Sequence, residues 1–99
     1  MSLTYREIKL DASGWKIRDD FYAAILPALE APDWHGDNAD ALFDSMWGGG
    51  INGIEPPYKI WITGTKGLPP EVRQHIDWMV EGINERQGLE PEILFQIDP

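Results

Sequence analysis

Between Trp34 and Asp44 the chain reads WHGDNADALFD, and two of its aspartates, Asp40 and Asp44, stand four residues apart. On a helix turning about 100° per residue, that spacing projects both carboxylates from one side. A preorganised pair of this kind accepts hydrogen bonds from guanidinium, ammonium or imidazolium donors. The same rotation puts Ala39, Leu42, Phe43 and Met46 on one stripe and Asp40, Asp44 and Trp47 on another, with Phe43 at the boundary. Like charges at this spacing cost a helix about 0.2–0.5 kcal/mol, and aspartate is a mediocre helix former. Helix stability therefore does not account for the pair. Asp40 gains from the positive end of the helix dipole, Asp44 much less. Ahead of them, Trp34 and His35 are large side chains in a segment expected to be exposed, and tryptophan is favoured as an interface anchor. Gly36 permits a positive φ or a close backbone approach.

The surroundings sharpen the charge. No Lys or Arg occurs from Asp19 through Tyr58, while Asp19, Asp20, Glu30, Asp33, Asp37, Asp40, Asp44 and Glu55 all fall there. The whole chain has 8 Lys and Arg against 17 Asp and Glu, a net charge of -9. Such a field argues against nucleic acid and anionic membranes as direct partners and for a basic protein. Cysteine is absent, which excludes a disulfide scaffold, a thiol nucleophile and a cysteine zinc site. Met1 to Leu10 lacks the apolar core of a secretory signal, and no stretch approaches the ~20 apolar residues of a membrane span. A cytoplasmic protein, monomeric when free, is expected.

The elements that must hold the motif follow from periodicity. The 99 residues, 42% of them hydrophobic, suit a single domain spanning 1–99 with one core. Thr4 to Leu10 alternates as a first strand, closed by the turn Asp11 to Gly14. From Arg18, the residues Phe21, Ala24, Ile25, Ala28 and Leu29 recur at helical spacing, and Pro27 predicts a kink or end near Leu26. After a loop from Ala31 to Gly36, Asp37 or Asn38 can cap a helix from Ala39 to about Trp47. The glycines and prolines of Gly48–Pro57 break regular structure. Tyr58 to Thr63 reads as a strand, and Glu71 to Arg86 as a helix with Val72, Ile76, Met79, Val80 and Ile83 inward and Gly88 as its stop. Ile93, Leu94, Phe95 and Ile97 suggest a strand covered on both sides or placed centrally. Trp15, Trp61 and Trp78 are expected in the core and His75 on a helix surface. The order βααβαβ predicts an α/β fold of two layers, a small three-stranded parallel sheet with helices packed on it.

At its motif the chain resembles the barstar-like family of intracellular ribonuclease inhibitors. The family segment is an aromatic pair, Gly, an acidic residue, Asn, an apolar residue, Asp, Ala, Leu, an aromatic residue and Asp; Trp34 to Asp44 follows it, and the element order fits across nearly the whole chain. The resemblance implies an immunity-type protein whose loop and motif helix plug a nuclease active site. Asp44 would enter the subsite of the substrate phosphate, Asp40 would pair with flanking basic groups, Trp34 and Gly36 would pack on the rim, and Phe43 would lie at the edge. His35, Asp37 and Trp47 complete the candidate surface, and Glu81 is the candidate acidic residue from the late helix. Three departures stand out: His35 replaces the second aromatic, Phe43 replaces a tryptophan, and Gly64 to Pro70 is too short for an extra helix, leaving a loop or one turn. The Gly48–Pro57 loop is also longer than in the family. The chemistry is coherent by itself, because a ribonuclease gathers Arg, Lys and His around its phosphodiester. Two other readings remain: a Mg²⁺ or Mn²⁺ site for phosphoryl chemistry from Asp37, Asp40, Asp44 and His35, and an adaptor using the same face on another protein. No P-loop or HExxH motif occurs, and no catalytic residue, cofactor or metal is expected.

Overall fold

A computed structural model of the chain describes residues 4–48, 50–88 and 91–99. The elements are β1 (Arg6–Asp11), α1 (Arg18–Ala28), α2 (Ala39–Gly48), β2 (Tyr58–Thr63), a 3-10 turn (Thr65–Gly67), α3 (Pro70–Glu85) and β3 (Ile93–Ile97). The strands form one sheet in the order β1-β2-β3, parallel throughout, as the α/β reading expects. The first strand starts two residues later than Thr4 and runs one past Leu10. Ile8 lies beside Ile60, and Ile60 beside Phe95, so one row of aliphatic and aromatic side chains crosses the sheet. Ile8, Leu10, Tyr58, Ile60 and Ile62 are buried while the residues between them are exposed or half-buried. That alternation marks a sheet with helices on one face.

Trp61 therefore belongs to the open face, half-buried and outside the core expected for it. Its Nε1 donates to Glu7 Oε1 at 2.9 Å, and the Lys59 ammonium sits 4.2 Å from its ring centroid. Trp15 is also only half-buried, edge-on to Phe21. The third expectation of this kind fails outright: Trp78 is 55% exposed. At 100° per residue, position 78 turns well away from Ile76 and Met79, which take the inward places.

Helix α1 opens on Asp20, whose carboxylate accepts from the N–H groups of Lys16 (2.7 Å) and Ile17 (3.2 Å); these bonds hold its pKa below the ordinary value. Pro27 lies in the last turn, and the helix ends one residue beyond it. The ending is a Schellman motif: Glu30 N–H donates to Pro27 O (3.0 Å) and Ala31 N–H to Leu26 O (2.9 Å). Glu30 takes the left-handed position, φ 55°, where glycine is usual. The incoming loop fixes it there, since Gly53 N–H donates to Glu30 O at 2.9 Å and Ile54 N–H to Leu29 O at 3.0 Å. A Cβ at Gly53 would lie 2.8 Å from Glu30 Cβ, so this close approach requires glycine.

Helix α3 carries Pro70 at its first turn and buries Val72, Ile76, Met79 and Ile83 completely. It ends at Glu85, three residues short of the Gly88 expected to stop it. His75 is half-buried rather than a surface residue: its Nε2 and the Tyr22 hydroxyl share a hydrogen bond of 2.6 Å, welding α1 to α3. Burial pushes Tyr22 up to about 12; burial, aided by Arg18, holds His75 below its ordinary value. The expected single turn fills Gly64 to Pro70 as Thr65–Gly67. β3 corrects another expectation, because it is an edge strand with Leu94, Phe95 and Ile97 half-buried. Its apolar run meets the helix layer on one face only. Gln87 closes the first rung of the open edge, its amide bonding both Ile93 N–H and Ile93 C=O at 2.8 Å. No helix among the described residues is long and apolar enough to cross a membrane.

Two measurements check this account. Gly53→Ala lowers the unfolding free energy by about 1–3 kcal/mol through overpacking, read as a shifted urea midpoint, and Glu30→Gly in the same chain recovers most of the loss because it removes both the obstructing Cβ and the left-handed penalty. For His75, a folded pKa below the unfolded value of about 6.5 means that the unfolded chain takes the proton more readily. Its contribution to stability is complete above that unfolded value and is lost as the pH falls through the lower folded one. The parent's urea midpoint therefore drops more steeply over this window than that of His75→Gln, which has no imidazole to titrate.

Candidate protein-binding face

The loop from Ala31 to Asn38 leads directly into α2. Asn38, rather than Asp37, is the cap: its Oδ1 accepts from Ala41 N–H at 2.9 Å. Beyond it the helix divides as its spacing predicts, with Leu42, Phe43 and Met46 buried and Asp40, Asp44 and Trp47 exposed. Trp34 is 75% exposed, and Asp37 is also open to solvent. Five of the eight candidate residues, Trp34, Asp37, Asp40, Asp44 and Trp47, are thus presented outward.

The other three face differently. Phe43 is a core residue, only 8% exposed, whose ring still lines hollows on either side. Gly36 is half-buried, and a Cβ there would meet the Asn38 amide at 2.9 Å and Ala41 Cβ at 3.3 Å; the glycine lets the loop close over its own helix cap. His35 turns inward. Its Nδ1 donates to Gly36 O at 2.7 Å, and its Nε2 lies 2.8 Å from Ser45 Oγ. The Gly36 carbonyl can only accept, so Nδ1 carries the hydrogen. Ser45 also accepts from Asn52 Nδ2 at 3.0 Å. Through one serine on the buried side of α2, the loops before and after the helix are fastened together. The Ser45 and Asn52 links escaped the sequence reading, because each joins residues whose contact depends on the folded positions of two loops.

A second omission is Arg86. From the end of α3 its guanidinium reaches over α2, 4.5 Å from the Phe43 ring centroid and 5.8 Å from that of Trp47. Asp40, Phe43, Asp44, Trp47 and Arg86 line an open hollow of about 840 Å³. Across the Phe43 ridge, Trp78, Glu81, Glu85 and Arg86 line another. The rings of His75, Trp78, Phe43 and Trp47 follow one another at centroid separations of 5.8, 6.1 and 5.7 Å. A carboxylate face with an aromatic ridge and one arginine is suited to binding a protein. Among the described residues, no three His, Asp or Glu side chains converge where they could hold a metal ion.

Removing His35 takes the side-chain partner from the Gly36 carbonyl and one of three from the Ser45 hydroxyl, which keeps Leu42 O at 3.1 Å and Asn52 Nδ2. His35→Ala is expected to cost about 1–3 kcal/mol of stability, with faster amide hydrogen exchange confined to the loop before α2 and the loop after it. Uniformly faster exchange over the sheet would contradict this local role.

A family model described as Barstar (barnase inhibitor) matches residues 5–97. No curated protein matches the sequence.

Proposed function

The chain belongs to the barstar family, whose model spans nearly all of it, and from that premise we propose that it inhibits a ribonuclease by closing a basic active site with the outward side of α2 and the loop before it. The observation that carries this reading is the pair Asp40 and Asp44, exposed on one side of a helix within a stretch that has no Lys or Arg. An enzyme that cleaves a phosphodiester surrounds it with cationic donors, and carboxylates satisfy the same donors without offering a scissile bond. In this reading Asp44 takes the phosphate subsite and Asp40 the flanking basic groups. Trp34 packs on the enzyme's rim, while Asp37 and Trp47 border the contact; Glu81 and Glu85 extend the acidic surface onto α3.

His35, Gly36 and Phe43 then act from behind the contact, holding the loop and helix in place. A loop ordered by the fold loses little freedom when it binds, which favours affinity. The charge of -9 speeds encounter with a basic partner; barnase and barstar are themselves the familiar case of such steering, so this property comes with the family. No residue is assigned a catalytic role. The protein acts as a free monomer in the cytoplasm, where it protects the producing cell from a nuclease of its own.

Inhibition assays against barnase and a panel of related ribonucleases test the proposal. Asp44→Ala and Asp40→Ala each weaken inhibition of the responsive enzyme by about 2 kcal/mol or more, the scale of an interface hot spot, and association slows as salt rises. If both variants inhibit as tightly as the parent, the α2 face is not the plug.

A further inference from the structure

The position of Arg86 is unusual for a cation on an acidic face. Among the described residues, Arg18 pairs with Glu71 at 3.8 Å and Arg73 with Asp77 at 3.2 Å, but Arg86 makes no such pair. Asp40 and Asp44 nevertheless line the hollow it occupies, and Glu81 and Glu85 line the next. Its guanidinium lies instead on the Phe43 and Trp47 rings, with one hydrogen bond from Nη1 to Gly82 O at 3.1 Å.

Gly82 belongs to this arrangement. Glycine inside a helix is unfavourable relative to alanine, yet here a Cβ would lie 3.3 Å from Arg86 Nη1 and 3.4 Å from Phe43 Cζ. The helix gives up a side chain at the point where the ring and the guanidinium meet. We propose that Arg86 stands in, in the free protein, for an arginine of the partner, occupying the Phe43 and Trp47 rings beside Asp40 and Asp44 and leaving them when the complex forms. This inference rests on the α2 face being the binding surface.

The chemistry selects arginine. A planar guanidinium stacks on an aromatic face while its edge N–H groups reach a carboxylate; an ammonium is a point charge that cannot do both. Arg86 makes only the stacking half of that interaction. A partner arginine arriving from outside can complete it with Asp40 or Asp44, and it cannot share the shelf with a second cation. Arg86 is exposed and held by a single backbone hydrogen bond, so it can swing aside. A partner without an arginine at this place gains nothing from displacing Arg86, which makes Arg86 a filter on partner identity.

Hexa-arginine and hexa-lysine peptides test the subsite without any nuclease, with the Trp47 indole N–H followed by NMR as each is titrated. Arg86→Ala should bind hexa-arginine about three- to tenfold more tightly than the parent, as expected for vacating a cation–π site, with the Trp47 signal shifting. The control Lys66→Ala removes the same charge from the Thr65–Gly67 turn and should gain less than about twofold, as should Arg86→Ala towards hexa-lysine. Arg86→Lys, which keeps the charge at the helix end, should fall between parent and Arg86→Ala with hexa-arginine. Equal gains for Arg86→Ala and Lys66→Ala, a still Trp47 signal, or weaker binding by a folded Arg86→Ala would each overturn the proposal. If the peptides behave as expected but no ribonuclease is inhibited, the inhibitor reading fails and the subsite stands. If a ribonuclease is inhibited through Asp40 and Asp44 but Arg86→Ala gains nothing towards hexa-arginine, the subsite alone fails.

Discussion

A ten-residue helix with two aspartates one turn apart is not stable in water on its own, and α2 has that composition. What keeps it in place is its opposite side, where Leu42 is fully buried and Met46 nearly so. The acidic face can exist only because the apolar face is committed to the core. Other features of the surface are hung on that commitment. Phe43 can show a ring edge at the surface because the rest of it is packed, and Ser45, on the buried side, is the point through which His35 and Asn52 hold the flanking loops. A loss of packing beneath α2 would therefore scatter the carboxylates before it unfolded the sheet.

The parallel sheet supplies room for this arrangement. Neighbouring parallel strands cannot be joined by a tight turn, so residues 12–57 form the connection from β1 to β2, carrying two helices and both loops of the acidic face. Ala12 and Pro57 still extend the β1–β2 pairing, through Ala12 N–H to Thr63 O at 2.8 Å and Arg6 N–H to Pro57 O at 3.2 Å, but the helices and loops between them do not have to keep the strand register. The connection is fastened where Gly53 meets Glu30 at the end of α1, and its second loop reaches the start of β2 only after that fastening. The sheet can thus stay constant while the face changes.

Local features were legible in the sequence. The division of α2 into buried and exposed stripes, a cap at Asp37 or Asn38 and the order of strands and helices all follow from spacing within a few residues; the structure keeps the first and last and chooses Asn38 for the cap. Features set by distant segments were not. The inward turn of His35 depends on Ser45, the half-burial of His75 on Tyr22, and the place of Arg86 on how α3 crosses α2. The apolar run of β3 was misleading for a related reason: hydrophobic content reports that a strand touches the core, but not whether a neighbour lies beyond it. Trp78 was misjudged by residue type, although its helical position argued for the outside. Periodicity was the better guide there, since a tryptophan off the buried stripe has no core to enter.

A surface of one sign attracts every protein of the other, so the Asp40 and Asp44 pair by itself discriminates little between basic partners. Discrimination needs something that rejects, and rejection is cheapest where a like charge already sits beside the contact. Arg86 is so placed, and it is supplied by α3, outside the stretch that carries the motif. In the proposed reading the plug and its filter come from different parts of the chain and can vary separately. On that reading a substitution at the end of α3 would retune which partner is accepted without disturbing the carboxylates, whereas one within α2 would alter binding to every partner at once.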